Sequence, residues 1–101
     1  MEYEIKLKTG FYETANYYLS PTREGIKLLP IGDVTRGPIV ATGNELISIT
    51  LTQEKKSNIT IMTRSQILTG DFQEKLDLKE VYEELKKHIN AKIVYEEFQE
   101  S

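Results

Sequence analysis

The spacing of apolar residues changes once along this chain, and that change is the strongest constraint on its fold. Before Gly70, apolar residues occur in short runs, several of which alternate with polar residues in the two-residue period of half-buried strands. After Asp77, they recur at the three- and four-residue spacing of a helix. The order predicts a mainly β (α+β) domain of short strands followed by one amphipathic helix.

Seven strands are predicted before Gly70, because turn-forming residues separate the apolar runs. The predicted strands are residues 3–8, 11–19, 26–31, 39–41, 45–52, 58–63 and 66–68. The predicted turns and loops are residues 9–10, 20–25, 32–38, 42–44 and 53–57. In the fifth strand, we expect Ile47, Ile49 and Leu51 to share one face and Leu46 to lie on the other. Seven antiparallel strands at this spacing favour a barrel or a sandwich.

The helix is predicted over residues 78–89, where five apolar residues form one stripe: Leu78, Val81, Tyr82, Leu85 and Ile89. Asp77 is positioned to cap its first turn, and Asn90 is expected to end it in a left-handed conformation. Residues 92–98 leave three alternatives open: a further strand, a helical extension or a tail. A further strand would make the helix an internal crossover instead of a terminal plug.

Length and composition predict a single domain over residues 1–101. The chain has no cysteine, which excludes disulfides, thiolate nucleophiles and cysteine-ligated metal centres. The first ten residues alternate charged and apolar side chains and lack the apolar run of a signal peptide, and no stretch approaches a membrane span. We therefore expect a cytoplasmic protein.

The charge is distributed unevenly along the chain. Residues 1–70 carry eight basic and seven acidic groups, a balance of +1, whereas residues 71–101 carry five basic and nine acidic groups, a balance of −4. Nucleic-acid binding requires a concentrated basic face. The acidic C-terminal third therefore argues against a nucleic-acid partner.

No group of residues has the spacing of a catalytic or cofactor site. His88 is the only histidine, and nothing in the sequence completes a metal-ligand set around it. The carboxylate pairs 83–84 and 96–97 fall in charge-rich segments that are expected to be exposed. The glycines of residues 32–43 lack the spacing of a phosphate-binding loop. We expect no enzyme activity and no cofactor.

Parts of five predicted elements carry a resemblance to a known superfamily: residues 17–20, 25–30, 47–49, 59–61 and 78–89. Their order, with seven strands followed by one helix, resembles that of pleckstrin-homology-like domains, including GRAM-type and small bacterial members. The resemblance implies a barrel closed by the helix, with anionic ligands bound near its open end. Five basic residues of the first strands and loops are then candidate contacts for an anion or lipid headgroup: Lys6, Lys8, Arg23, Lys27 and Arg36.

The function expected from these patterns is that of a non-catalytic binding or adaptor module for a protein or peptide. Three tyrosines are candidate protein contacts: Tyr12, Tyr17 and Tyr18. They cannot all point inward from one strand, so at least one is expected to be exposed. Two alternatives remain open: binding to an anionic membrane surface, and an enzyme or small-molecule binder with an unrecognised site. An exposed edge strand would be able to support a dimer.

Overall fold

The computed structural model describes residues 2–32 and 36–98. These residues form eight strands, one α-helix and a 3₁₀ turn at Gly43–Glu45. The strands are β1 (Tyr3–Lys8), β2 (Thr14–Thr22), β3 (Gly25–Pro30), β4 (Ile39–Thr42), β5 (Leu46–Gln53), β6 (Ser57–Thr63), β7 (Ile67–Phe72) and β8 (Lys92–Glu97). The helix α1 spans Leu78–His88, between β7 and β8. Asp33, in the predicted 32–38 loop, lies outside the described residues.

All eight strands belong to one sheet, in the order β4-β3-β2-β1-β7-β6-β5-β8. Only the β5–β8 pair is parallel. No ladder joins β4 to β8 in the described part of the chain, so the sheet is open and the closed barrel is not formed. Since Gly43–Glu45 is the whole link between β4 and β5, the sheet curls until these two strands, distant in the sheet order, approach each other at one end.

One face of the curled sheet is apolar, and α1 covers part of it. The helix buries Leu78, Val81 and Leu85 and contacts β8, β5 and β2. The sheet contributes isoleucines and leucines from most strands, including Ile5 and Leu28, which are fully buried. Burial of these side chains is the main stabilising contribution in a chain without disulfides. Within the described residues, no helix is long and apolar enough to cross a membrane.

The predicted start of the helix is confirmed, and the helix ends one residue before its predicted end, but not in the predicted left-handed conformation. The Lys79 N–H donates to Asp77 Oδ1 at 3.0 Å, so Asp77 is the N-cap. At the other end Ile89 is extended, with φ −116°, and its N–H donates to the Leu85 carbonyl at 2.9 Å. No described residue other than glycine has a positive φ, so Asn90 is not left-handed. The chain instead reaches β8 through the short link of residues 89–91, and the Ile89 side chain stays in the core.

Replacing Asp77 with alanine is expected to destabilise the domain by about 1 kcal/mol, because the Lys79 N–H loses its acceptor. Asp77→Asn is the matched control, since asparagine caps helices about as well as aspartate. Urea denaturation of both variants and the parent chain measures the difference. Equal destabilisation by the two variants would contradict a capping role.

The first two turns lie where predicted but differ in length: the first is longer and the second is shorter. β2 begins at Thr14, not at residue 11, because the Thr9 N–H donates to the Glu13 carbonyl at 3.0 Å and closes a loop over residues 9–13. β2 continues to Thr22, into the predicted turn at residues 20–25, and the chain reverses at residues 23–24 inside it. The Gly25 N–H donates to Thr22 Oγ1 at 3.1 Å, which fixes this reversal.

A β-bulge changes which residues of β5 face the core. Leu46 and Ile49 are both buried although they are three residues apart, and Ile47 is 46% exposed. The register with β6 shifts between Leu46 and Ser48, so β5 holds one extra residue there. The predicted faces of Leu46 and Ile47 are therefore wrong, whereas those of Ile49 and Leu51 are confirmed.

The last two strands extend the predicted β region. β7 runs to Phe72, beyond the predicted end at residue 68, and Gly70 lies inside it. A Cβ on Gly70 would lie 2.8 Å from the Lys6 carbonyl oxygen, so glycine permits the close approach of β7 to β1. Residues 92–97 form β8, and α1 is therefore an internal crossover between β7 and β8.

Candidate functional site at the β1–β2 hairpin

The loop between β1 and β2 presents two adjacent aromatic side chains to solvent. Phe11 is 96% exposed and Tyr12 is 94% exposed. Their ring centroids are 5.5 Å apart with an interplanar angle of 63°, an edge-to-face contact. Large apolar side chains are seldom so exposed, and such a patch often marks an interaction site. We refer to Phe11 and Tyr12 together as the aromatic tip.

The hairpin itself places the aromatic tip beyond the sheet. The β1–β2 ladder ends at the Lys8–Thr14 pair, and the loop beyond it is closed by the Thr9–Glu13 hydrogen bond. Thr9 Oγ1 lies at the base of this loop and is the one buried side-chain oxygen or nitrogen without a hydrogen-bond partner among the described residues. Buried polar atoms are usually hydrogen-bonded, so Thr9 Oγ1 is an exception at the base of this loop.

The sequence carries a weak signal for the aromatic tip. Phe11 and Tyr12 are neighbours, so a strand would direct their rings to opposite faces of the sheet. Gly10 precedes them and breaks the alternation of β1. Because aromatic residues favour strands, the pattern predicted a strand from residue 11. Phe11 and Tyr12 differ from the aromatic residues inside β2 only in that the β1–β2 ladder ends before it reaches them.

The three candidate tyrosines have different environments. Tyr12 belongs to the aromatic tip, and Tyr18 is 40% exposed on the outer face of β2. Tyr17 is 3% exposed and belongs to the core. The expectation that at least one tyrosine is exposed is therefore confirmed. Tyr18 lies directly opposite Leu29 of β3, which is itself 36% exposed.

The five candidate basic residues do not line one common groove. Lys6 and Lys8 line a groove of about 430 Å³ that also contains Glu54 and Asp71. Arg23 and Lys27 line a second groove of about 400 Å³ that also contains Glu24. Arg36 lines neither groove and is partly buried. Both grooves thus combine basic and acidic side chains.

A third groove of about 430 Å³ separates α1 from the start of β1, and its charge is mainly acidic. Its lining includes Tyr3, Glu80 and Glu84. Burial, followed by the nearby Glu84 and Glu80 carboxylates, raises the pKa of the Tyr3 hydroxyl, which stays protonated at neutral pH. His88 Nε2 lies 3.5 Å from Glu84 Oε2 and is exposed. No three metal-ligating side chains come together within the described residues.

No family model matches the chain, and no curated protein matches it. A candidate functional site therefore has to be identified from the surface of the chain itself. Phe11 and Tyr12 are the most exposed large apolar side chains of the described residues. The aromatic tip is therefore the leading candidate for a functional site.

Proposed function

We propose that this protein is a non-catalytic binding module that docks a partner protein through the aromatic tip. Phe11 and Tyr12 enter an apolar pocket on the partner, and the curled sheet acts as the rigid support. The observation that carries the proposal is the near-complete exposure of two adjacent rings on a closed hairpin.

The energetics of the aromatic tip suit an anchor. Full burial of a large apolar side chain stabilises by about 1.5–3 kcal/mol, so the two rings together offer about 3–6 kcal/mol before the costs of association. Aromatic side chains have few rotatable bonds, so ordering them on binding costs little. The Phe11 and Tyr12 rings are in edge-to-face contact, which is a favourable geometry for an aromatic pair.

The resemblance to pleckstrin-homology-like domains agrees with a binding role. The order of β1 to β7 followed by α1 is the order on which the resemblance rests. β8 departs from that order, because it follows the helix and pairs with β5. The resemblance therefore adds modest support, and the proposal rests on the aromatic tip.

Charge favours a protein over an anionic membrane as the partner. Lys8 and Glu13 flank the aromatic tip and balance each other. Sites for anionic lipids that can be recognised in a sequence contain clusters of about four to eight basic residues. Four of the five candidate basic residues here are divided between two grooves, each shared with carboxylates. The net charge of −3 also opposes attraction to a negative surface.

Site-specific photo-crosslinking tests the proposal. A benzoylphenylalanine in place of Tyr12 is expected to capture one defined protein in cells of the source organism, whereas the same probe in place of Ile67 does not. Ile67 is a matched control because it is apolar and 62% exposed, but lies on β7. Calorimetry with the purified partner is expected to show at least about tenfold weaker binding for Phe11→Ser/Tyr12→Ser. Ile67→Ser is expected to bind like the parent chain.

Three outcomes would overturn protein docking through the aromatic tip. Identical capture from positions 12 and 67, or unchanged partner affinity of Phe11→Ser/Tyr12→Ser, would remove the tip from the interface. Co-sedimentation with phosphatidylserine vesicles that is lost in Phe11→Ser/Tyr12→Ser would instead assign the tip to a membrane surface. Because both residues are exposed, the melting temperature of the variant should match that of the parent chain.

A further inference from the structure

The exposed edge of β8 has a sequence that complements itself. We propose that two copies of the chain pair antiparallel along β8, with Val94 opposite Val94 of the second copy, so that one continuous sheet runs through a symmetric dimer. This inference does not depend on the proposed role of the aromatic tip.

β8 is the longer of the two strands at the ends of the sheet. It has six residues, whereas β4 has four. Its ladder to β5 uses one edge, and no described strand pairs with the other. An edge strand of this length presents backbone donors and acceptors that can template another strand.

Symmetry limits the registers in which β8 can pair with itself. A two-fold axis perpendicular to the sheet keeps each side chain on its own face, and residues directly opposite each other in an antiparallel pair share a face. One residue of β8 must therefore lie opposite its own copy. The central candidates are Ile93, Val94 and Tyr95.

Only the Val94 register matches both charge and hydrophobicity. It places Lys92 opposite Glu96 of the second copy, twice by symmetry, on the exposed outer face. On the inner face it places Ile93 opposite Tyr95 of the second copy. The Ile93 register would instead place Lys92 opposite Val94, and the Tyr95 register would place Val94 opposite Glu96. Lys92 and Glu96 therefore disfavour pairing of this edge with unrelated strands and favour pairing with a second copy of the chain.

Charge reversal separates this pairing from other modes of association. Light scattering across a concentration series is expected to show the mass rising towards twice 11.6 kDa. Lys92→Glu and Glu96→Lys, each alone, are expected to weaken the dimer about tenfold, because two attractive pairs become repulsive. The double variant Lys92→Glu/Glu96→Lys is expected to regain the parent dissociation constant. Both residues are exposed, so circular dichroism should show an unchanged fold.

The absence of cysteine allows a second, direct test of the register. Val94→Cys is expected to form a disulfide-linked dimer on mild oxidation, because the two Cβ atoms face each other across the axis. Thr50→Cys is the control: Thr50 lies beside Val94 in β5, one strand further from the axis, and is expected to stay monomeric.

The following results would contradict a dimer that pairs along β8. A mass of one chain at every concentration, or single charge reversals without effect, would overturn it. A dimer lost in Phe11→Ser/Tyr12→Ser and retained in Lys92→Glu would assign self-association to the aromatic tip instead. Equal crosslinking of Val94→Cys and Thr50→Cys would refute the Val94 register.

Discussion

Replacing Gly25 with alanine is expected to destabilise the domain by about 3 kcal/mol, because neither the backbone conformation nor the space at this position accepts a side chain. Gly25 has φ +153°, a conformation that residues with a Cβ rarely adopt. A Cβ there would lie 2.1 Å from the Ala41 carbonyl oxygen and 2.9 Å from Thr42 Cα. These are backbone atoms, so β4 would have to move away from β3.

The surroundings of Gly25 leave little room for such a movement. Gly25 pairs with Thr42 in the β3–β4 ladder. Its carbonyl accepts a hydrogen bond from the Thr22 hydroxyl, and its N–H donates one to the same hydroxyl. The Gly43 N–H also donates to the Glu24 carbonyl at 2.7 Å, which ties the β2–β3 turn to the link between β4 and β5. A displaced β4 would therefore disturb the hydrogen bonds of two connections as well as its own ladder.

Gly37→Ala is the matched control, because Gly37 has no positive φ and nothing lies within 4 Å of an added Cβ. It is expected to change the free energy of unfolding by less than about 0.5 kcal/mol. Urea denaturation followed by circular dichroism measures both variants. A Gly25→Ala variant as stable as Gly37→Ala would show that β3 and β4 do not approach as closely as described.

The elements predicted best are those whose signals are local. One apolar stripe predicts the helix and Asp77 predicts its cap, because both signals depend on residues a few positions apart. The predicted bounds of β3 and β6 agree with the structure to within one residue at each end for the same reason. Ladder ends are harder to predict. The predicted β2 begins too early, because the aromatic residues of the tip favour strands as strongly as those inside β2.

Features that depend on distant partners were not predictable in the same way. The β1–β7 and β5–β8 ladders join segments far apart in the chain, so neither the open sheet nor the edge at β8 follows from local patterns. The candidate site residues also divide into those that local patterns predict and those that depend on distant parts of the chain. An exposed tyrosine was predicted from alternation alone, whereas the separation of Lys6 from Lys27 into different grooves depends on how the sheet curls.

Replacing Leu46 with alanine is expected to destabilise the domain by about 2–4 kcal/mol, whereas Ile47→Ala is expected to cost less than about 1 kcal/mol. Strict alternation along β5 predicts the reverse ranking, because it groups Ile47 with the buried Ile49 and Leu51. The bulge reverses the faces of the first two residues: Leu46 is 7% exposed and Ile47 is 46% exposed.

The physical reason for the difference lies in what surrounds each side chain. Leu46 belongs to the core cluster, so its truncation leaves a cavity in addition to the lost burial. Ile47 lies on the outer face, where a shorter side chain leaves no enclosed space. Denaturant unfolding of the two variants measures the difference on adjacent residues of one strand. Equal costs, or a larger cost for Ile47→Ala, would mean that β5 pairs with β6 without the extra residue and that Leu46 faces solvent.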